Sequence, residues 1–156
     1  MTTERIERAV TCFAGGHLCS QAICRVYGEE FGLTPEMAVR IATGFGAGIS
    51  RSDQVCGAVS GSVMVLGLAF GSSDPADRAT KERTYAVVRE FIAEFKKVHG
   101  SISCTELLGH DLGNPAEAQA AREDGVVPRV CPGLVRTAAE LLEECLANRD
   151  RIVRHL

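Results

Sequence analysis

Residues 54–73 read QVCGAVSGSVMVLGLAFGSS, twenty positions without a charged side chain. A helix over this stretch is apolar on nearly every side, and in a protein that folds in water such a helix lies at the centre of others. Cys56 falls in its first turn. Gly57, Gly61, Gly67 and Gly71 form two pairs four residues apart, a spacing that lets a neighbouring backbone come close because glycine has no side chain to hold it off. Cys56 is therefore expected at the inner end of a tightly packed core, within reach of other segments.

The flanking chain reads as amphipathic helices. On the N-terminal side, residues 3–13 carry Ile6, Ala9, Val10 and Phe13 at helical spacing and stop at Gly15-Gly16. Residues 18–31 place Ala22, Ile23, Val26 and Tyr27 on one face, with Gly32 as the stop. Thr34 suits an N-cap and Pro35 the first position of a helix running to about Phe45. Gly44-Phe-Gly-Ala-Gly48 then forms a glycine-rich turn. It lacks the preceding strand that a nucleotide-binding loop requires, so a sharp connection that brings backbone close to Cys56 is the expected role.

On the C-terminal side, Ser73-Asp74-Pro75 reads as the cap of a long helix reaching about Val98, with Tyr85, Val88, Phe91, Ile92 and Phe95 inward and Gly100 as its end. A short turn, residues 104–108, closes on Gly109. Residues 110–130 are polar and broken by glycine and proline, with a brief helix at 116–123. The last helix is predicted from Pro132, burying Leu134, Val135, Ala138, Leu141, Leu142 and Cys145 ahead of a charged tail. The expected fold is all-α: one domain, residues 1–156, a helical bundle around the buried Gly-rich central helix.

A chain of 156 residues can bury a core without staples. Its net charge of −3, with no basic run, argues against nucleic acid as a partner. The uncharged stretch is long enough to span a bilayer, but it is rich in Gly and Ser and has no Lys or Arg cluster beside it, so no membrane span is expected. The opening MTTERIERAV has charges where a signal peptide has its apolar region, which makes the cytoplasm the expected compartment. There thiols stay reduced, and seven cysteines point to metal binding or redox chemistry rather than to structural disulfides.

The cysteines divide by position. Cys12, Cys24 and Cys145 lie within helices among apolar neighbours and read as core. Cys19, Cys56, Cys104 and Cys131 each fall at a predicted helix start, with Cys131 in the N-cap place before Pro132. Unpaired N–H groups and the positive end of the helix dipole favour a negative sulfur there, and the thiolate is both the nucleophile and the metal ligand. Four such thiols make a ligand count. Their intervals of 37, 48 and 27 residues are unlike the close pairs of zinc knuckles or ferredoxins, so the site depends on the fold gathering four helix starts at one end.

Other candidates are secondary. His17 and His110 lie near Cys19 and Cys104 and are read as surface histidines, with ligation or hydrogen bonding to sulfur as the other option. Asp53, beside Arg51, is read as a cap, and Tyr27 and Tyr85 as core residues with a polar tip. Ser60 has no nearby His and acidic partner in the sequence, which leaves hydrolase chemistry without support.

Cys19-Ser-Gln-Ala, the glycine turn, Cys56-Gly-Ala-Val-Ser-Gly61, Cys104-Thr-Glu-Leu-Leu-Gly109 and the late Cys131 together resemble the C_GCAxxG_C_C family of small redox-active proteins, over roughly residues 10–145. The resemblance implies an all-helical domain whose functional cysteines are Cys19, Cys56, Cys104 and Cys131. Related domains in certain multihaem cytochromes carry an iron–sulfur centre; this chain lacks Cys-x-x-Cys-His, so no covalent haem is expected. The leading expectation is an iron–sulfur cluster, [2Fe–2S], on those four cysteines, in an electron carrier or redox accessory protein that exchanges electrons with a partner protein. The alternatives are a metal-free dithiol/disulfide protein and a structural zinc site on the same four residues. Pairing of two copies at the cofactor end is compatible with either.

Overall fold

The computed structural model describes residues 2–155, and the fold is all-α. In chain order the helices are α1 (Thr2–Ala14), α2 (Cys19–Tyr27), α3 (Pro35–Ala42), the left-handed turn α4 (Gly46–Arg51), α5 (Gly57–Phe70), α6 (Arg78–His99), α7 (Cys104–Leu108), α8 (Pro115–Asp124), α9 (Val126–Ala147) and α10 (Arg149–His155).

The uncharged stretch is the centre of the bundle. Helix α5 buries residues on every side, including Val59, Ser62, Val65, Leu66 and Phe70, and leaves only a strip at Gly67 and Leu68 exposed. Buried Ser62 satisfies its hydroxyl by donating to Ala58 O at 2.7 Å. Helix α2 makes the most extensive contact with α5, and the first glycine pair explains it. A Cβ on Gly61 would lie 2.9 Å from Ser20 O and 3.1 Å from Ser20 Cα, so backbone abuts backbone. The second pair plays no such part: Gly67 faces open space, and Gly71 meets only its own helix.

Helices α1, α6 and α9 complete the core, in which Tyr27, Phe91, Phe95, Ile23 and Leu142 are fully buried. Arg5 on α1 donates from Nε and Nη2 to both carboxylate oxygens of buried Glu143 on α9, at 2.8 and 2.7 Å. A smaller apolar cluster of Cys104, Leu108, Ala121 and Val126 joins α7, α8 and the start of α9.

Several boundaries differ from the sequence reading. The central helix begins only at Gly57, because Val55 pairs with Ser103 in an isolated antiparallel bridge. Helix α6 starts at Arg78 with Asp77 as N-cap, its carboxylate accepting from Thr80 N at 3.0 Å. Asp74 instead closes a turn onto Ala76 N at 2.9 Å, and that turn uses up the apparent cap. Helix α9 starts at Val126 behind Gly125, with Pro132 inside it. Tyr85 is 52% exposed, not core. Among the described residues no helix is long and apolar enough to cross a membrane.

Candidate functional site: a four-cysteine cavity

Three of the four singled-out cysteines are placed by local signals at helix starts. Gly16, at φ 107°, breaks the chain out of α1. Leu18 then caps α2, its N–H donating to Gln21 Oε1 at 2.9 Å, and Cys19 is the first helical residue. Cys56 is the N-cap of α5. Cys104 opens α7 behind Ser103, whose Oγ accepts from Glu106 N at 3.3 Å.

The bridge fixes two of these positions together. Cys56 N donates to Ile102 O at 2.7 Å, and Cys104 N donates to Gln54 O at 3.0 Å. Two chain segments 48 residues apart thus leave one rung in opposite directions, each delivering a cysteine into a helix start. Cys131 differs from the expectation. It lies in the second turn of α9, because the helix extends back through Pro132 to Val126, so it is not at the N-terminus of its own helix.

All four line one cavity of about 280 Å³. Phe13, Leu18, Leu108, Leu112, Val127 and Leu134 form most of the remaining wall, with His17 and Ala47; no Asp, Glu, Lys or Arg lines it. All seven cysteines are free thiols. Among the described residues no three His, Cys, Asp or Glu side chains stand close enough together to hold a single metal ion.

The sulfurs are electrostatically unequal. The Cys19 thiol is lowered to about 6, first by a hydrogen bond from Cys56, against the opposing effect of burial, and then by the N–H groups of Ala47, Ser20 and Cys19 itself. Cys56 moves well upward, because its proton is the one donated to Cys19 and because it is buried. Burial pushes Cys104 up to about 11 and Cys131 up to about 12, the negative Cys19 adding to both. The expectation that all four would titrate low is corrected accordingly: desolvation in the apolar cavity raises Cys104 and Cys131, Cys56 is raised first by its bond to Cys19 and then by burial, and only at Cys19 do three N–H groups and a thiol prevail.

One of those donors comes from an unusual backbone. Ala47, Gly48, Ile49, Ser50 and Arg51 all have positive φ, between 54° and 68°. Left-handed turns of non-glycine residues cost roughly 1–2 kcal/mol per residue, so surrounding structure must hold this one. Ser52 N and Gln54 N both donate to Gly48 O, at 3.2 and 3.1 Å, and Ser50 Oγ donates to Gly44 O at 2.8 Å. At Gly48 a Cβ would lie 2.7 Å from Cys104 Cβ. The glycine-rich segment does serve as a tight connection: its Phe45 O lies against Gly57 beside Cys56, and its Gly48 closes on Cys104.

Of the secondary candidates, His17 reaches the cavity, whereas His110 lies outside it against Asp124, Nε2 to Oδ2 3.6 Å. Asp53, at φ 57°, caps nothing: the N-cap of α5 is Cys56, with no side-chain bond. Arg51 belongs to the left-handed turn. Ser60 stays inside α5, its Oγ donating to Gly57 O at 3.4 Å. Cys24 is buried as expected, Cys145 is partly buried against the main core, and Cys12 is partly buried. The sequence reading passed over the Ala47 amide and the apolar wall. The pairs Leu107-Leu108 after Cys104 and Val126-Val127 before Cys131 were the available signals for that wall.

Four thiols around one apolar cavity in an all-helical domain form a donor set able to hold a soft metal or to exchange disulfides. The chain belongs to the C_GCAxxG_C_C family, described as "Putative redox-active protein", whose family model matches residues 17–145. No curated protein and no solved structure matches the chain.

Proposed function

We propose that Cys19, Cys56, Cys104 and Cys131 hold an iron–sulfur cluster, most simply [2Fe–2S], and that the protein passes electrons to or from a partner protein. The observation that carries this reading is the cavity itself: four soft thiol donors around one space, with no carboxylate in its wall. A cluster brings inorganic sulfide between the thiolates and suits donors spaced around a cavity. When bound it would supply one-electron transfer.

The chain's own contribution is electrostatic. N–H groups of Cys19, Ser20 and Ala47 aim at one sulfur, and those of Ala58 and Val59 at the Cys56 sulfur. Such bonds stabilise negative charge and raise a cluster's potential, while the dry apolar wall acts the other way.

A second reading is favoured by the unequal thiols at the starts of α2 and α5, Cys19 shifted down and its neighbour Cys56 up, in one cavity. In it, the Cys19 thiolate attacks a partner's disulfide, forming a mixed disulfide and releasing one partner thiolate. Cys56 then loses its proton and attacks the Cys19 sulfur, closing a Cys19–Cys56 disulfide and releasing the second partner thiol. Anaerobic purification with iron and sulfide assay separates the two. Brown protein with about one sulfide per iron, lost in Cys104→Ser and Cys131→Ser, is the expected result. Colourless, metal-free protein that gains a Cys19–Cys56 disulfide on mild oxidation overturns the cluster in favour of the dithiol, and colourless protein with bound zinc overturns both.

A further inference from the structure

Beside the four-cysteine cavity lies a second hollow, an open groove of about 420 Å³ bordered by α4, α8 and the start of α9. Its floor is hydrocarbon, from Leu112, Ala121, Val127 and Pro128, and Arg51 and Arg122 stand in its wall. Among the described residues no Asp, Glu or Lys lines it; Asp53, two residues from Arg51, does not. Both arginines are exposed and neither is spent on a carboxylate. Arg122 Nη2 donates to the neutral amide of Gln119 at 2.8 Å, and among the described residues no ion pair holds either guanidinium. The acids of α8 are engaged elsewhere: Glu117 accepts from Asp111 N at 2.6 Å, Glu123 from Gln119 Nε2 at 2.9 Å, and Asp124 from Arg129 Nη2 at 2.8 Å.

The groove is framed by packing that also shapes the cysteine site. Gly113 lies directly on Arg51 O, where a Cβ would collide, so the chain before α8 is pressed against the turn that carries Arg51. Ala121, beside Arg122, is buried in one cluster with Cys104, Leu108 and Val126. Leu112 and Val127 line both the groove and the four-cysteine cavity. A guanidinium is weakly hydrated and offers paired N–H donors that match a carboxylate, while the floor gains by taking apolar surface from water.

We infer that this groove binds a small amphipathic organic anion, its charge toward Arg51 and Arg122 and its hydrocarbon on the floor between them. The site stands whatever chemistry the four cysteines perform. A cavity of about 150 Å³ takes one benzene, so the groove has room for an anion of up to about fifteen non-hydrogen atoms. Its occupant and the thiols share the wall made by Leu112 and Val127.

The test is isothermal titration calorimetry on the full-length protein as purified, with octanoate as the probe. Saturable one-to-one binding of octanoate is expected. 1-Octanol, which keeps the chain and drops the charge, and acetate, which keeps the charge and drops the chain, should each bind more weakly by roughly tenfold or more. Arg51→Gln and Arg122→Gln should each weaken octanoate by roughly threefold to tenfold with little change in melting temperature, and the double variant by more. Arg89→Gln, at an exposed arginine of α6, should leave the affinity unaltered. If one groove variant fails to fold, the other gives the result. No saturable binding of octanoate, equal binding of 1-octanol, or an affinity that responds to Arg89→Gln as much as to the groove variants overturns the inference.

Discussion

At Cys19 two effects compete, burial that favours the thiol and convergent donors that favour the thiolate, and the donors prevail. Because its value is lowered from the ordinary 9.0 to about 6, the thiolate of the metal-free reduced protein persists above about pH 6 and is lost as pH falls through that point. The stabilisation its hydrogen bonds supply is fully present above the unfolded-state value and disappears over the same fall. Alkylation of Cys19 by iodoacetamide, followed by mass spectrometry against pH, should rise with a midpoint near 6. In Cys56→Ala, which removes the principal donor, the midpoint should move upward; one unmoved by that change would show that Cys56 is not the donor. Gly57 tests the same spot sterically. Its added Cβ would lie 2.5 Å from Cys19 Sγ and 3.1 Å from both Phe45 O and Ser20 N, two of the three being backbone. Gly57→Ala should therefore cost about 1–3 kcal/mol in urea unfolding.

Among the elements, the left-handed turn α4 makes the sharpest forecast, since neighbouring positions should respond with opposite signs. Ala47→Gly relieves a side chain at φ 54° and should stabilise by about 1 kcal/mol. Gly48→Ala puts a Cβ 2.7 Å from Cys104 Cβ at a φ that already disfavours it, and should destabilise by about 2 kcal/mol or more. Equal effects in chemical denaturation would mean that the turn is not held as described. The turn was only half legible in the sequence. Its glycines announced a tight connection, but Ile49 and Ser50 give no local reason to be left-handed, and the bonds that hold them there run to Gly48 and Gly44. The starts of α2, α3 and α7 were readable because their signals are local: Gly16 before α2, Thr34 with Pro35, and the pair Ser103 and Gly109. The start of α9 was misread for the same local reason. Cys131-Pro132 looks like an N-cap and first position, yet the burial of Val126 and the packing of α9 against α7 and α8 carry the helix back through the proline.

At the scale of the molecule, the sequence disclosed the architecture because one uncharged stretch can be buried only by surrounding it, and the helices with one apolar face supply that cover. It singled out four cysteines that turn out to line one cavity, but not the cavity's shape, since that 280 Å³ space exists only where α1, α2, α5, α7 and α9 meet. The tie between the first and last long helices is open to test. Glu143 is 6% exposed and Arg5 30%; Arg5→Met strands the carboxylate and should cost about 2–3 kcal/mol, less than a fully buried pair because Arg5 is partly hydrated. Adding Glu143→Leu should recover most of that loss, and a double variant as unstable as the single one would assign the effect to Arg5's other contacts, its packing over Tyr27, 5.2 Å from the ring, and its pair with Glu30 at 2.7 Å, instead of to Glu143.

The lone rung between Val55 and Ser103 also gives the bundle a built-in reporter. Two amides, those of Cys56 and Cys104, are tied across it, so in deuterated solvent they should exchange together, at one shared rate set by the opening of that rung. Their common rate would tell whether the mouth of the basin breathes while the rest of the molecule stays folded, a motion that would let a guest enter without melting any long helix.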